Sequence, residues 1–219
     1  MKLQFQGEVG IHVGNLFLEG ELTIPVNANS IILFSHGSGS GRKSTRNKMV
    51  ATHLQNNNFG TLLFDLLTAQ EDRIYENRFN IPLLTTRLIG VTAWMENYPE
   101  AKDYNIGYFG ASTGAASALR AAAYLPQIAA VVSRGGRPDL AMDMLHKVKS
   151  PALLIVGSLD TDVLHLNRLA YQQLGGIKKL EIIDGASHLF EEPGKLEEVA
   201  EIATTWFEKY LLPVKRYSE

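Results

Sequence analysis

Short, unbroken apolar runs recur along this chain, and helix-like stretches separate them. Ser30–Ser35, Gly60–Leu67, Ile106–Phe109, Ile128–Ser133, Ala152–Val156 and Lys179–Ile183 read as strands. A strand that is apolar without alternation is covered on both faces. Between them, helices are predicted over about 45–58, 81–98, 113–125, from near Pro138, over 163–174 and over about 192–211. Pro82 suits a first helical turn. Leu84, Leu88, Val91 and Met95 recur at helical spacing, and Gly175-Gly176 ends a helix. Residues 1–25 read as an N-terminal antiparallel ribbon, and 68–80 as a polar surface loop. Strand–helix alternation of this kind implies an α/β fold with a mostly parallel central sheet and helices on both faces. The length of 219 residues suits one domain, 1–219. Ligands of such sheets bind beyond the carboxyl ends of the strands. The functional search therefore narrows to His36–Gly41, Asp65–Thr68, Ser112, Arg134–Arg137, Asp160 and His188.

Within that set, Gly110-Ala111-Ser112-Thr113-Gly114 matches the G-x-S-x-G nucleophile elbow, with a strand before it and a small-residue helix after it. The elbow is a strained turn that lifts the serine hydroxyl into the cleft. Its flanking glycines let the turn pass close to its neighbours. The alternative is a tight turn whose serine only caps the helix.

A serine hydroxyl becomes a nucleophile only when a base takes its proton. His53, His146 and His165 fall on predicted helices, and His12 in the ribbon. His188, on the loop after the last strand, can reach the elbow and is the predicted base. A carboxylate must orient it. Asp160 stands just past a strand. Asp162 is the rival, although it can instead cap the following helix. The order Ser112, Asp160, His188 is that of serine hydrolases with a strand–elbow–helix nucleophile. The oxyanion needs preset donors. The Thr113 N–H supplies one, and the Ser38 N–H, in His36-Gly37-Ser38-Gly39-Ser40-Gly41, is the choice for the other. The His36 side chain is expected to brace this loop.

That glycine-rich loop also invites a phosphate-cradle reading. A P-loop needs Lys directly after its last Gly, and here Arg42 separates Gly41 from Lys43. Arg134 and Arg137 are candidate binding groups for a substrate carboxylate. The competing expectation is that local acids such as Asp139 or Asp65 hold both arginines.

Composition removes other chemistries. There is no cysteine, so disulfides, thiolate nucleophiles, Cys-ligated zinc and iron–sulfur clusters are excluded. Twenty-one basic against 23 acidic residues give a net charge of -2, with no general attraction to nucleic acid or acidic membranes. No secretory h-region and no membrane span is read, so a cytoplasmic protein is expected. No cofactor and no metal is required by this chemistry.

On these motifs the chain resembles the α/β-hydrolases, and within them the dienelactone-hydrolase-related branch. The resemblance runs over about 30–210, through His36–Gly41, Phe64–Thr68, Gly107–Gly114, Ser133–Leu140 and Gly185–Phe190. It implies the α/β-hydrolase fold. Dienelactone hydrolases proper carry a cysteine nucleophile where this chain has Ser112. The resemblance therefore guides the fold more closely than the substrate. The expectation is a serine hydrolase of a small carboxylic ester or lactone. An acyltransferase on the same triad and a non-catalytic small-ligand binder are the alternatives.

Overall fold

The computed structural model describes residues 1–211. Residues 212–219 of the expected 1–219 domain lie outside the described residues. An eight-stranded sheet is built in the order β1-β2-β4-β3-β5-β6-β7-β8. The strands are β1 (Leu3–Val13), β2 (Leu16–Pro25), β3 (Ser30–Ser35), β4 (Gly60–Phe64), β5 (Asn105–Ala111), β6 (Ala130–Arg134), β7 (Ala152–Gly157) and β8 (Lys178–Ile183). β1 and β2 form the antiparallel ribbon, and β2 joins β4 antiparallel. The remaining pairs from β4 through β8 are all parallel. This is the α/β-hydrolase architecture.

The helices are α1 (Thr45–Asn56), α2 (Ala69–Asp72), α3 (Ile81–Asn97), α4 (Thr113–Tyr124), α5 (Thr161–Gln173) and α6 (Lys195–Tyr210). Strand side chains alternate between faces, so one strand feeds two cores. Ile31 and Leu33 of β3 join a cluster with α3, α4 and α5, whereas Ile32 and Phe34 pack with α1 and α6. Both sets are almost wholly buried, which is why the central strands read as continuous apolar runs.

Two expectations are corrected. The loop over 68–80 contains α2 and a 3-10 turn, Tyr75–Phe79. Thr68 and Glu71 form a reciprocal capping box there, which satisfies two backbone donors in a polar segment. The helix expected from Pro138 is instead two short 3-10 turns, Pro138–Ala141 and Leu145–Lys147. Among the described residues no helix is long and apolar enough to cross a membrane.

Candidate active site

The elbow lies between β5 and α4, at the centre of the sheet. Ser112 has φ 50° and ψ −122°, a conformation that L residues rarely adopt. Holding a residue there costs on the order of 1–3 kcal/mol, which the surrounding packing must offset. The motif's glycines follow from that packing. A Cβ on Gly110 would lie 2.5 Å from the Ala115 Cα, and one on Gly114 only 2.1 Å from the Ser35 carbonyl oxygen. Only glycine lets α4 start so close to β3 and β5.

β7 and β8 are parallel neighbours, so the loops at their carboxyl ends lie side by side. Ser158 N–H donates to the Ile183 carbonyl at 2.9 Å, and Leu159 N–H to the Ala186 carbonyl at 3.0 Å. Gly185 N–H donates to the Ser158 Oγ at 2.8 Å. These straps set His188 Nδ1 2.6 Å from Asp160 Oδ2. The Asp160 carboxylate is mostly buried and the His188 ring partly open. Asp162 lies in the first turn of α5, and the histidine's partner is Asp160.

Ser112 and His188 each contact the turn Arg134–Arg137. Ser112 N–H donates to the Arg134 carbonyl at 3.2 Å, and Arg137 N–H to the Ser112 carbonyl at 3.1 Å. On the same turn, a Cβ on Gly135 would lie 3.0 Å from the His188 carbonyl oxygen and 3.5 Å from its Nδ1. The Ser112 hydroxyl has no hydrogen-bond partner among the described residues. Catalytic hydrogen bonds often tighten only when substrate binds.

His36 braces the glycine-rich loop. Its Nε2 accepts the Leu66 N–H at 3.0 Å, so the proton sits on Nδ1, which donates to the Gly37 carbonyl at 2.9 Å. Burial pushes its pKa below the ordinary histidine value, and the ring stays neutral. Beside this loop is a cleft of about 610 Å³, bordered by Phe17, His36, Ser40, Arg42, Asp65 and Leu67. Arg42 lies between the Asp65 and Glu19 carboxylates, and its N–H also donates to Asp65 Oδ1 at 2.8 Å. This arrangement weighs against the phosphate-cradle reading, because the Arg42 charge is already matched by Asp65 and Glu19.

The Ser38 N–H points at a protein group. It donates to the Thr113 Oγ1 at 2.9 Å. Arg134 also departs from expectation. Alternation along β6 places it with Val132 on the α1 and α6 face, so its side chain is buried and only 6% exposed. No carboxylate pairs with it among the described residues. The guanidinium has Asn47 Oδ1 at 3.4 Å and the Phe190 ring at 5.9 Å. Burial, with Arg46 nearby, pushes its pKa down to about 10. Arg137 is gripped by Asp139 through two hydrogen bonds of 2.8 Å, the local pairing weighed against a substrate role.

Comparison with known proteins places this geometry in a family. A crystal structure of dienelactone hydrolase from Anabaena variabilis ATCC 29413 is 50% identical, covers 97% of this chain and 100% of that one, and superposes with a TM-score of 0.93. The chain belongs to the dienelactone-hydrolase-related branch of the α/β-hydrolases. The family model for the BAAT / Acyl-CoA thioester hydrolase C terminal matches residues 91–192, a span that includes Ser112, Asp160 and His188. Est1E from Butyrivibrio proteoclasticus shares the fold at 17% identity, with a TM-score of 0.79 over 93% of this chain and 98% of that one. A protein of Mycobacterium tuberculosis (strain CDC 1551 / Oshkosh) named a putative phosphoribosyl transferase is 51% identical over 205 residues, 93% of this chain and 46% of its own length. The chain thus spans about half the length of the curated relatives it matches.

Within this dienelactone-hydrolase-like frame, sequence reasoning missed residues that hold the site from behind. Asn167 in α5 is fully buried and donates to the Gly136 carbonyl at 2.9 Å, fixing the turn under Ser112. A poor helix former in mid-helix was the available signal. Glu192 accepts the Ser187 N–H at 3.1 Å and shapes the His188 loop. Those hydrogen bonds hold its carboxyl below the usual range. Among the described residues no cluster of three His, Asp or Glu side chains is placed to hold a metal ion.

Proposed function

We propose that this chain is a serine hydrolase cleaving a small carboxylic ester or lactone through an acyl-enzyme on Ser112. The observation that carries the reading is the strained Ser112 elbow sharing one turn with the Asp160–His188 pair. Asp160 holds the His188 proton on Nδ1 and leaves Nε2 to accept the Ser112 proton. The Ser112 Oγ attacks the carbonyl carbon, and the oxygen's developing charge meets the Thr113 N–H. His188 then protonates the leaving alkoxide, which departs as the alcohol from an ester and remains as the hydroxyl end of the bound acyl chain from a lactone. A water deprotonated by His188 attacks the acyl-enzyme, and the acid leaves as Ser112 regains its proton. The thioester hydrolase family match over 91–192 supports including a thioester among the substrates tried.

The test is labelling with a fluorophosphonate, mapping of the adduct, and turnover of a panel of small esters, lactones and thioesters. The expected adduct is on Ser112, and Ser112→Ala should lose about 10⁴–10⁶ in turnover. Asp160→Asn should lose roughly 10²–10⁴ and Asp162→Asn little. Absence of turnover across the panel by a labelled protein would favour a ligand-binding role, and damage confined to Asp162→Asn would reassign the orienter.

A further inference from the structure

We propose that the Thr113 side-chain hydroxyl is itself an oxyanion donor, polarised by the Ser38 N–H. The inference rests on the serine-hydrolase reading above and adds a donor to it.

The Gly37–Ser38 peptide has little freedom to turn. Its carbonyl accepts from His36 Nδ1–H at 2.9 Å and from the Ser40 N–H at 3.2 Å. The opposite edge of the same peptide therefore faces α4, where the Ser38 N–H meets Thr113 Oγ1 at 2.9 Å. The loop is pressed onto the elbow: a Cβ on Gly37 would lie 3.0 Å from the Ser112 Cβ. Thr113 is 3% exposed, so water is largely excluded from this contact.

A hydroxyl has one proton and two acceptor lone pairs. The Ser38 N–H occupies one lone pair of Thr113 Oγ1. Among the described residues no protein acceptor takes the Thr113 hydroxyl proton. That proton is the free end of a chain running from N–H to O–H, and a donor that is itself accepting a hydrogen bond is strengthened. The Thr113 N–H opens α4 and is one of the amides a helix start leaves without an intrahelical partner. One residue, directly after the nucleophile, thus presents both a backbone and a side-chain donor. Ser38 serves the oxyanion through Thr113 rather than by direct contact. The competing arrangement is a plug, in which the hydroxyl occupies the Ser38 donor and must rotate away before substrate oxygen enters.

The two arrangements predict opposite outcomes for Thr113→Val, which keeps the shape and the backbone N–H but removes the hydroxyl. As a donor, Thr113 makes kcat fall about 100-fold, the scale of one oxyanion donor, with KM nearly unchanged. Affinity for a boronic acid forming a tetrahedral adduct on Ser112 falls in parallel, and Thr113→Ser restores kcat to within a few-fold of wild type. A wild-type or raised kcat in Thr113→Val overturns the proposal in favour of the plug. A loss shared equally by Thr113→Ser overturns it too, because packing rather than the hydroxyl is then responsible. Fluorophosphonate labelling of Ser112 in wild type and variants separates this test from the parent reading: an unlabelled wild type sinks both, whereas a labelled, folded Thr113→Val protein of full activity sinks only the donor.

Discussion

Replacing Gly114 by alanine tests whether close approach sets the elbow. The added Cβ would stand 2.1 Å from the Ser35 carbonyl oxygen and 2.4 Å from that of His36. A carbon resting against a carbonyl oxygen needs about 3.3 Å. The first turn of α4 must therefore move by about 1 Å, or the end of β3 must yield. Both obstacles are backbone at the centre of the sheet, so no side chain can swing aside. Overpacking of this kind costs about 3 kcal/mol, the upper part of its usual range. Alanine's better helix propensity returns up to about 1 kcal/mol. The net loss is roughly 2 kcal/mol, or about 4–8 °C in Tm for a chain of this size. A 1 Å displacement at the nucleophile costs about 100-fold in turnover. Thermal unfolding and ester kinetics read both effects. Gly14→Ala is the control: its φ is +58° and no atom lies within 4 Å of the added Cβ. It should lose only the left-handed penalty of about 1–2 kcal/mol and leave turnover unchanged. A Gly114→Ala protein with wild-type Tm would refute the argument that contact with β3 demands glycine.

His36 and Arg134 supply two further tests. The folded pKa of His36 is lowered by burial, so below about pH 6.5 the unfolded chain takes up a proton that the folded chain refuses. Stability should fall as pH drops through that window, and His36→Asn should flatten the dependence in urea titrations at pH 7 and pH 5; an unchanged slope would show that His36 is not its source. Arg134, whose pKa burial pushes well below the ordinary arginine value to about 10, carries a penalty of roughly 3 kcal/mol at every pH below about 10. Losing its contact with Phe190 offsets roughly half of this, so Arg134→Met should gain about 1–2 kcal/mol and leave the preference between anionic and neutral esters unchanged. A drop in Tm would mean that the buried guanidinium is held by stabilising contacts, and a lost preference for the anionic ester would return it to the substrate.

The pattern of apolar runs was enough to establish the α/β layering, because strands covered on both faces cannot afford polar alternation. The elbow was equally readable, since a strained Ser112 between β5 and α4 requires Gly110 and Gly114 on either side. His188 and Asp160 could be nominated from their places after β8 and β7. Their pairing at 2.6 Å was decided by the parallel register of those strands and by the straps from Ser158 and Leu159 to the next loop. Local sequence has no means of measuring that distance. The fate of Arg134 was also tertiary: one-residue alternation sends it to the α1 and α6 face, although its position just at a strand end suggested the cleft. The same holds for the Ser38 N–H. A glycine-rich loop announces free amides, but which of them meets the Thr113 hydroxyl depends on how β3 and α4 pack, on the grip of His36, and on contacts between residues 75 positions apart.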